Sequence, residues 1–311
     1  MDTKAQTAGE DLERGFSTRH GVDWTKYMLY RPTYPESFFR RIYNYHGQKP
    51  GASWSTAHDV GAGPGIVSST LVDTFNHVIV SDPDEGHGKV ARQVLVEEAG
   101  IPESRLVFLR EDAESSSVEA GTVDLITACE CIQYTDTANA VSEFARQLGP
   151  GGTLAVTLYS RPYILGNERA QSVWNAMFTA VSRKYSQPLF QRAFRILNSG
   201  LDCVALPPED WEAVKRVYVN AGRGTETFRI SDDVPESRVG SNEELVWIYG
   251  DPDWSDKERE VDSLRGLMST WAPGLTESEA RGYWEELESA LDGATFRTET
   301  PVVIVLATKR A

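Results

Sequence analysis

Cysteine, histidine and positive charge are scarce in this chain, and long apolar runs are missing. The 311 residues include three cysteines and five histidines, and 31 Lys and Arg stand against 46 Asp and Glu, a formal net charge of −15. Three cysteines cannot form a disulfide framework. A strongly negative surface repels phosphate backbones, so we expect no nucleic acid as a partner. The apolar run 301–307 is too short to span a bilayer and no secretory signal is recognisable, so we expect no membrane partner and a cytoplasmic location.

Signatures of metal and hydrolase sites are missing or incomplete. Cys129 and Cys131 form a C-x-C pair, but no cluster of Cys or His accompanies them. We therefore interpret them as small buried side chains and expect no metal site. No G-x-x-x-x-G-K-[ST] or G-x-S-x-G sequence occurs, which argues against nucleotide and serine hydrolases.

The most informative feature is a glycine-rich turn, Asp59-Val60-Gly61-Ala62-Gly63-Pro64-Gly65, between a predicted strand (55–60) and a predicted helix (66–75). Such a turn lets backbone approach a ligand closely, and the following helix offers free N–H groups. The dinucleotide fingerprint would need a third glycine where Ile66 stands, so an NAD-dependent oxidoreductase is the less favoured alternative.

Short apolar strands alternate with amphipathic helices around this turn. Strands are predicted at 55–60, 78–82, 106–109, 123–127, 153–158, 214–219 and 300–308. Helices are predicted at 36–45, 66–75, 90–99, 137–148, 170–185 and 277–291. The alternation predicts a Rossmann-like α/β fold, with a seven-stranded, mostly parallel sheet, helices on both faces and a helical cap.

The same pattern divides the chain into four parts. We predict an N-terminal lid segment (1–50), a ligand-binding core (51–160), a cap and substrate region (161–290) with one strand near 214–219, and a last sheet strand within 291–311. The lid segment is rich in aromatic residues. Its alternative interpretation is a helix that packs on the core, and the sequence leaves both open.

Carboxylates follow the successive predicted strands. Asp59 closes the first strand, Asp82 the second, Asp112 with Ala113 follows the third, and Glu130 the fourth. Ligands of open α/β sheets bind at the carboxyl ends of the strands. A carboxylate after the second strand suits ribose hydroxyls, and one after the third can accept from an adenine amino group. One such carboxylate is commonly a helix cap, but four in this order predict an adenosyl site.

These residues resemble the motifs of class I S-adenosylmethionine (SAM) methyltransferases over roughly 55–160. The turn before the fifth strand, Leu148-Gly149-Pro150-Gly151-Gly152, resembles that family's L-x-P-G-G. The resemblance implies SAM as cofactor and S-adenosylhomocysteine as product. It implies that the glycine turn contacts the methionine portion, Asp82 the ribose, and Asp112 with Ala113 the adenine. The full set of expected cofactor-contacting residues is Tyr27, Arg31, Asp59, Gly61, Ala62, Gly63, Gly65, Asp82, Pro83, Asp112, Ala113, Cys129 and Glu130.

A narrower resemblance involves three further motifs. They are Trp24-x-x-Tyr27, Tyr30-Arg31-Pro32-x-Tyr34-Pro35 and Cys129-Glu130-Cys131-Ile132-Gln133-Tyr134. Together they resemble the trans-aconitate methyltransferase-like group of fungal and bacterial small-molecule enzymes. That group usually has His-Trp where this chain has Gln133 and Tyr134, so no histidine base is expected at this position. We predict that Gln133 and Tyr134 form the active-site wall.

The expected function is methyl transfer from SAM to a small-molecule metabolite. Transfer from a sulfonium is an in-line displacement, so a carboxylate or thiolate acceptor needs no base, whereas a phenol, an amine or a carbon acid can need one. The accepting atom (O, S, N or C) is left open, as is the choice between monomer and homodimer. A protein that retains the fold as a regulator, or uses the site for another reaction, is the alternative.

Overall fold

The structure is a computed structural model that describes residues 23–271 and 274–311. Residues 1–22 of the predicted lid segment lie outside the described residues. The helices are α1 Trp24–Tyr30, α2 Glu36–Gly47, α3 Ser68–Leu71, α4 Glu85–Arg92, α5 Thr137–Gln147, α6 Glu168–Ser182, α7 Pro188–Asn198, α8 Val261–Met268 and α9 Glu277–Leu291. The strands are β1 Thr56–Val60, β2 His77–Ser81, β3 Leu106–Leu109, β4 Val123–Cys129, β5 Leu148–Tyr159, β6 Tyr163–Leu165, β7 Trp211–Val219, β8 Gly222–Thr225, β9 Glu244–Ile248, β10 Ser255–Arg259, β11 Phe296–Glu299 and β12 Val302–Lys309.

The main sheet confirms the predicted Rossmann-like α/β fold. Its strand order is β3-β2-β1-β4-β5-β12-β7-β9. The first five strands pair in parallel, β12 runs antiparallel to both β5 and β7, and β9 is parallel to β7. The chain order reverses at β1, where the path turns from the β1-β2-β3 side to β4. This switch point is the position at which open α/β sheets bind ligands.

The strand count differs from the prediction. Within the described residues the main sheet has eight strands, not seven, because β9 adds to the edge beside β7. As an edge strand β9 is only half-buried or exposed, although its residues Leu245 to Ile248 form an apolar run; the sequence predictions missed this strand. A separate three-stranded sheet, in the order β10-β11-β6, joins the segment after β5 to the C-terminal range 291–311.

Helices cover both faces of the main sheet. On one face α2, α3 and α4 contribute Phe38, Leu71 and Ala91, respectively, to a buried apolar cluster. On the other face α5 packs together with α6 to α9, and Trp174 and Leu287 belong to the same core as the sheet. The helices that follow β5 are therefore continuous with the hydrophobic core of the sheet.

The helix after the glycine turn is shorter than predicted. The expected helix 66–75 is α-helical only over Ser68–Leu71. The Ser69 hydroxyl donates to the Ile66 carbonyl (2.7 Å), a local bond that competes with regular helix geometry. The predicted helix 90–99 begins earlier, at Glu85, where Asp84 caps it, and continues as a π-helical segment over Gln93–Glu98.

None of the helices in the described part of the chain is long and apolar enough to cross a membrane.

Candidate active site

A cavity of about 730 Å³ opens at the carboxyl ends of β1, β2, β3 and β4. Most of the residues expected to contact the cofactor line it. They are Tyr27, Asp59, Gly61, Ala62, Gly63, Asp82, Pro83, Asp112, Ala113, Cys129 and Glu130, and the predicted wall residue Tyr134 joins them. The volume lies within the range of sites that enclose small ligands.

The three glycines of the turn serve different purposes. Gly61 has φ +62°, and a Cβ there would lie 2.4 Å from Cβ of Cys131, so a side chain is excluded. Gly63 has φ +55° and would meet no atom within 4 Å, so its missing side chain leaves open space in the cavity. Gly65 has φ +85°, and a Cβ there would lie 2.9 Å from Cδ1 of Leu95, so its missing side chain permits close packing against the segment Gln93–Glu98.

Asp59 is a buried carboxylate at the floor of the cavity. The hydroxyl of Ser68 donates to one of its oxygens (2.6 Å), and the hydroxyl of Thr127 donates to the other (2.9 Å). Burial raises the pKa of Asp59 to about 6, although these hydroxyl donors oppose the rise. Since both oxygens already accept hydrogen bonds within the protein, Asp59 links β1, α3 and β4 beneath the glycine turn.

Asp82 lies directly after β2 and is held from several sides. Its Oδ2 accepts from the Gly63 amide (3.1 Å), and its Oδ1 accepts from the Asp84 amide (2.9 Å) and lies 2.8 Å from Nδ1 of His87. The Trp24 ring meets the His87 ring edge-on, with 4.1 Å between centroids. The predictions missed His87 and Trp24 as cavity residues; the Trp24-x-x-Tyr27 motif was the available signal.

Asp112 and Ala113 occupy the rim of the cavity after β3. The Asp112 side chain is exposed, and its backbone carbonyl accepts from the Ser115 amide (3.3 Å), which forms a tight turn. Glu111 in the same turn accepts from the Ser116 hydroxyl (2.8 Å) and the Ser117 amide (2.9 Å). The turn thus brings the acidic residues Glu111 and Asp112 to the lining of the cavity.

Glu130 follows β4 and has a left-handed backbone, with φ +57°. Its amide donates to the Thr157 carbonyl (2.9 Å), and its carboxylate accepts from the Tyr159 amide, so both groups are anchored to β5. Burial raises the pKa of Glu130 to about 7, against the opposing effects of the Tyr159 amide and the Arg31 guanidinium. A non-glycine residue in this conformation is uncommon and often marks a functional position.

A second, smaller chamber of about 60 Å³ lies behind Glu130. The two chambers share Tyr27, Pro32, Glu130, Tyr134 and Tyr159 as lining residues. We call the larger space the outer cavity, the smaller one the inner chamber, and these shared residues the junction.

Arg31 and Gln133 line the inner chamber, not the outer cavity. Nε of Arg31 donates to the hydroxyl of Thr270 (2.8 Å), and its guanidinium lies 5.0 Å from the ring centroids of both Tyr27 and Trp271. Nε2 of Gln133 donates to the Glu130 carbonyl (3.1 Å). Arg31 therefore ties the segment after α1 to the segment after α8.

Tyrosines surround the junction. Burial raises the pKa of Tyr34, Tyr134 and Tyr159 well above the ordinary value. Their phenols are neutral at pH 7 and can donate hydrogen bonds or present a ring face, but they cannot act as anionic bases. The sequence predictions missed Tyr159, which ends β5 and is followed by the chain that enters the later helices.

The two neighbouring cysteines are packing residues at this site. Cys129 is buried at the end of β4, and the thiol of Cys131 donates to the Val60 carbonyl (3.2 Å). Burial raises the pKa of both thiols well above the ordinary value. Across 23–271 and 274–311, no three His, Cys, Asp or Glu side chains form a group that could hold a metal ion.

A parallel sheet with this strand order, and a glycine turn and strand-end carboxylates around one cavity, are features of α/β methyltransferases. The family model for the methyltransferase domain matches residues 58–156, which span β1 to β5. A solved structure from Anaeromyxobacter dehalogenans, titled as a type II methyltransferase, shares the fold with a TM-score of 0.57 at 18% identity. It covers 89% of this chain and 97% of its own.

Curated relatives resemble the chain over almost its whole length. Methyltransferase cfoB of Aspergillus candidus is 32% identical, covering 97% of this chain and 98% of its own. Methyltransferase ptaI of Pestalotiopsis fici is 31% identical, with 96% and 97% covered. Methyltransferase AacuQ of Aspergillus aculeatus is 37% identical, with 92% and 93% covered. The chain belongs to this family of methyltransferases; its narrower resemblance to the trans-aconitate group stays a prediction.

Proposed function

We propose that this methyltransferase uses SAM as methyl donor and methylates a small molecule held at the junction and in the inner chamber. One observation carries the proposal. The outer cavity has a glycine turn and strand-end carboxylates at one side, and it meets a small aromatic chamber at Glu130 on the other. A donor in the first space and an acceptor in the second would meet at the junction.

The groups that line the outer cavity fit the chemistry of SAM. The carboxylate of Asp82 can accept from both ribose hydroxyls, and an anion there disfavours a 2′-phosphate. Asp112 at the rim can accept from the adenine amino group. The open space at Gly63 admits the methionine portion against the backbone. The acidic lining suits a cofactor that carries an ammonium and a sulfonium.

The junction residues support positioning and proton transfer. SAM, when bound, supplies an electrophilic methyl group on a sulfonium. The rings of Tyr27, Tyr134 and Tyr159 line the space in which cation–π contacts to such a cation can form. Glu130, with its pKa near 7, can take the proton of a phenol or amine acceptor during transfer. An acceptor that is already anionic would not need this step, so the accepting atom stays open.

The N-terminal segment supports the proposal that acceptors are small. Trp24 and Tyr27 of α1 line the outer cavity, and Arg31 links the end of α1 to Thr270 after α8. We propose that this segment acts as a lid. Apolar side chains of the later helices, among them Phe178 and Leu267, line the inner chamber, which favours an acceptor with apolar surface.

Calorimetric titration with S-adenosylhomocysteine and with NAD⁺ tests the cofactor assignment. We expect S-adenosylhomocysteine to bind and NAD⁺ not to. Asp82→Asn should weaken binding roughly 10- to 100-fold, because hydrogen bonds to a charged acceptor contribute about 1.5–3 kcal/mol. Asp84→Asn is the matched control, since Asp84 caps α4 nearby and does not line the cavity.

Two outcomes would refute the proposal. Binding of NAD⁺ without S-adenosylhomocysteine would identify an oxidoreductase instead. Binding of SAM with no release of S-adenosylhomocysteine, across phenolic, carboxylic and amine acceptors, would favour a regulator that has kept the fold.

A further inference from the structure

The inner chamber contains an arginine that has no acidic partner among the described residues. Arg161 lies two residues after the end of β5, and both its Nε and Nη2 donate to Oδ1 of Asn175 (2.9 and 2.8 Å). Its Nη1 is buried and, among the described residues, has no hydrogen-bond partner. The guanidinium lies 5.7 Å from the ring centroid of Phe178. Burial lowers the pKa of Arg161 to about 10, so it is still a cation at pH 7.

Two other polar atoms of the chamber are in the same situation. The hydroxyl oxygen of Ser160 and Oε1 of Gln133 are buried without a partner in the part of the chain that the structure describes. Nε2 of Gln133 donates to the Glu130 carbonyl and so fixes the orientation of the side-chain amide. Oε1 of Gln133 is then the amide atom that has no hydrogen-bond donor among the described residues. Buried polar groups are nearly always satisfied, and three together in one chamber indicate a bound species.

A second buried arginine shows what a structural role requires. Arg216 is fully buried, and its Nε donates to Glu243 (2.5 Å) while Nη1 and Nη2 donate to the carbonyls of Leu201 and Val204. Every donor group of that guanidinium is used, and its charge is compensated. Among the described residues Arg161 has neither feature, and a cation removed from water without a counter-ion destabilises a fold. This contrast points to a ligand and argues against a purely structural role for Arg161.

We propose that the inner chamber binds a carboxylate of the acceptor, with Arg161 as the anchoring residue. This inference rests on the proposed function. Nη1 of Arg161 and the hydroxyl of Ser160 would donate to the carboxylate oxygens, and Oε1 of Gln133 would accept from a hydroxyl of the same molecule. The chamber of about 60 Å³ suits a group of this size and not a whole polycyclic compound.

The position of Arg161 also indicates which end of the acceptor is methylated. Arg161 lines only the inner chamber, whereas Glu130 and Tyr134 lie at the junction with the outer cavity. An acid anchored at Arg161 would present its opposite end to the junction. Rings of Phe178, Phe194 and Trp271 also line the inner chamber. The structure therefore assigns aromatic hydroxy acids as the acceptor class, with the carboxylate as the anchor.

The test is a titration of the full chain, saturated with S-adenosylhomocysteine, with 4-hydroxybenzoate, gallate and ferulate and with their methyl esters. We expect at least one acid to bind at least about tenfold more tightly than its ester, the difference that one charge-assisted hydrogen bond supplies. Arg161→Met should abolish this preference and leave the affinity for S-adenosylhomocysteine unchanged. If none of the acids binds, if esters bind as well as acids, or if the variant keeps the preference, the anchor assignment is wrong.

Thermal unfolding supplies a readout that is independent of the probes. Without ligand, Arg161→Met should leave the midpoint unchanged or raise it, because an uncompensated charge is removed and Asn175 still accepts from Gln171 (2.8 Å). The matched control Arg216→Met should lower the midpoint, because it leaves Glu243 buried and unpaired. If the unfolding midpoint of Arg161→Met falls as far as that of Arg216→Met, Arg161 has a structural role. Failure of wild type to bind S-adenosylhomocysteine would instead refute the proposed function.

Discussion

Replacement of Glu130 by glutamine is expected to stabilise the protein, by an amount that depends on pH. Burial raises the pKa of Glu130 from 4.5 to about 7, so the folded protein holds the proton more tightly than the unfolded chain does. The folded state is therefore penalised for ionising Glu130 as pH rises from 4.5 to about 7. A shift of this size lowers the free energy of unfolding by about 3 kcal/mol at pH 8 and leaves it unchanged below pH 4.5. Glutamine avoids this cost, and its amide oxygen can still accept from the Tyr159 amide.

Urea unfolding of wild type and Glu130→Gln at pH 5, 6, 7 and 8 measures this difference. The free energies of unfolding should be close at pH 5 and diverge towards pH 8, where the variant is more stable by up to about 3 kcal/mol. The same variant should transfer methyl groups more slowly to a phenol, since the proton acceptor is gone.

Glu143→Gln is the control, and its effect on the free energy of unfolding should have the opposite sign. Burial would raise the pKa of Glu143, but hydrogen bonds from Arg146 and Gln147 lower it overall. Its ionised form therefore stabilises the fold above the unfolded pKa, and this contribution is lost as pH falls. Glu143→Gln should be less stable than wild type at pH 8 and similar to it in acid. If Glu130→Gln gains no stability between pH 5 and 8, or behaves like the control, Glu130 is not a buried carboxyl of raised pKa.

Three further variants probe the site. Asp82→Asn should weaken S-adenosylhomocysteine binding by one to two orders of magnitude in calorimetry, with the unfolding midpoint little changed. Gly61→Ala should destabilise the fold in thermal unfolding, since its Cβ would lie 2.4 Å from Cβ of Cys131, and Cys131→Gly in the same chain should restore part of the loss. Arg31→Met should increase hydrogen exchange in α1, because the bond to Thr270 that holds the end of this helix is removed; unchanged exchange would argue against a lid held by Arg31.

Local patterns sufficed to predict the core of the fold. The inner strand β12 is buried on both faces, and its residues Val302 to Ala307 accordingly form a continuous apolar run. The glycine turn and Asp82 follow strands directly and Asp112 follows β3 within three residues, so parallel pairing brings them to one edge. The part of the outer cavity built by β1 to β4 could be predicted for this reason.

Local patterns did not predict the second sheet, and the edge strand β9 was missed although its residues Leu245 to Ile248 form an apolar run. β9 is short and only half-buried, and β6, β10 and β11 pair across long stretches of chain. Their pairing depends on tertiary contacts that leave no periodic signal in any one segment. The shortened α3 depends on a side-chain bond of Ser69 that competes with the helix.

The inner chamber could not be predicted from local sequence patterns either. Arg161, Phe178 and Trp271 come from segments far apart in sequence and converge only in the folded chain. Nothing around Arg161 distinguishes it in sequence from a surface arginine. Only the burial of its Nη1 and the lack of a facing carboxylate among the described residues set it apart. The N-terminal motif around Arg31, by contrast, correctly drew attention to a segment that lines both chambers.

A crystal structure of the full chain with S-adenosylhomocysteine tests the central claim most directly. The account predicts the homocysteine portion against Gly61 to Gly65, the ribose on Asp82, and the sulfur at the junction, facing Glu130 and Tyr134, with the inner chamber beyond it closed to bulk water. A sulfur that points away from Glu130, or opens onto solvent on that side, would contradict methyl transfer to a small enclosed acceptor.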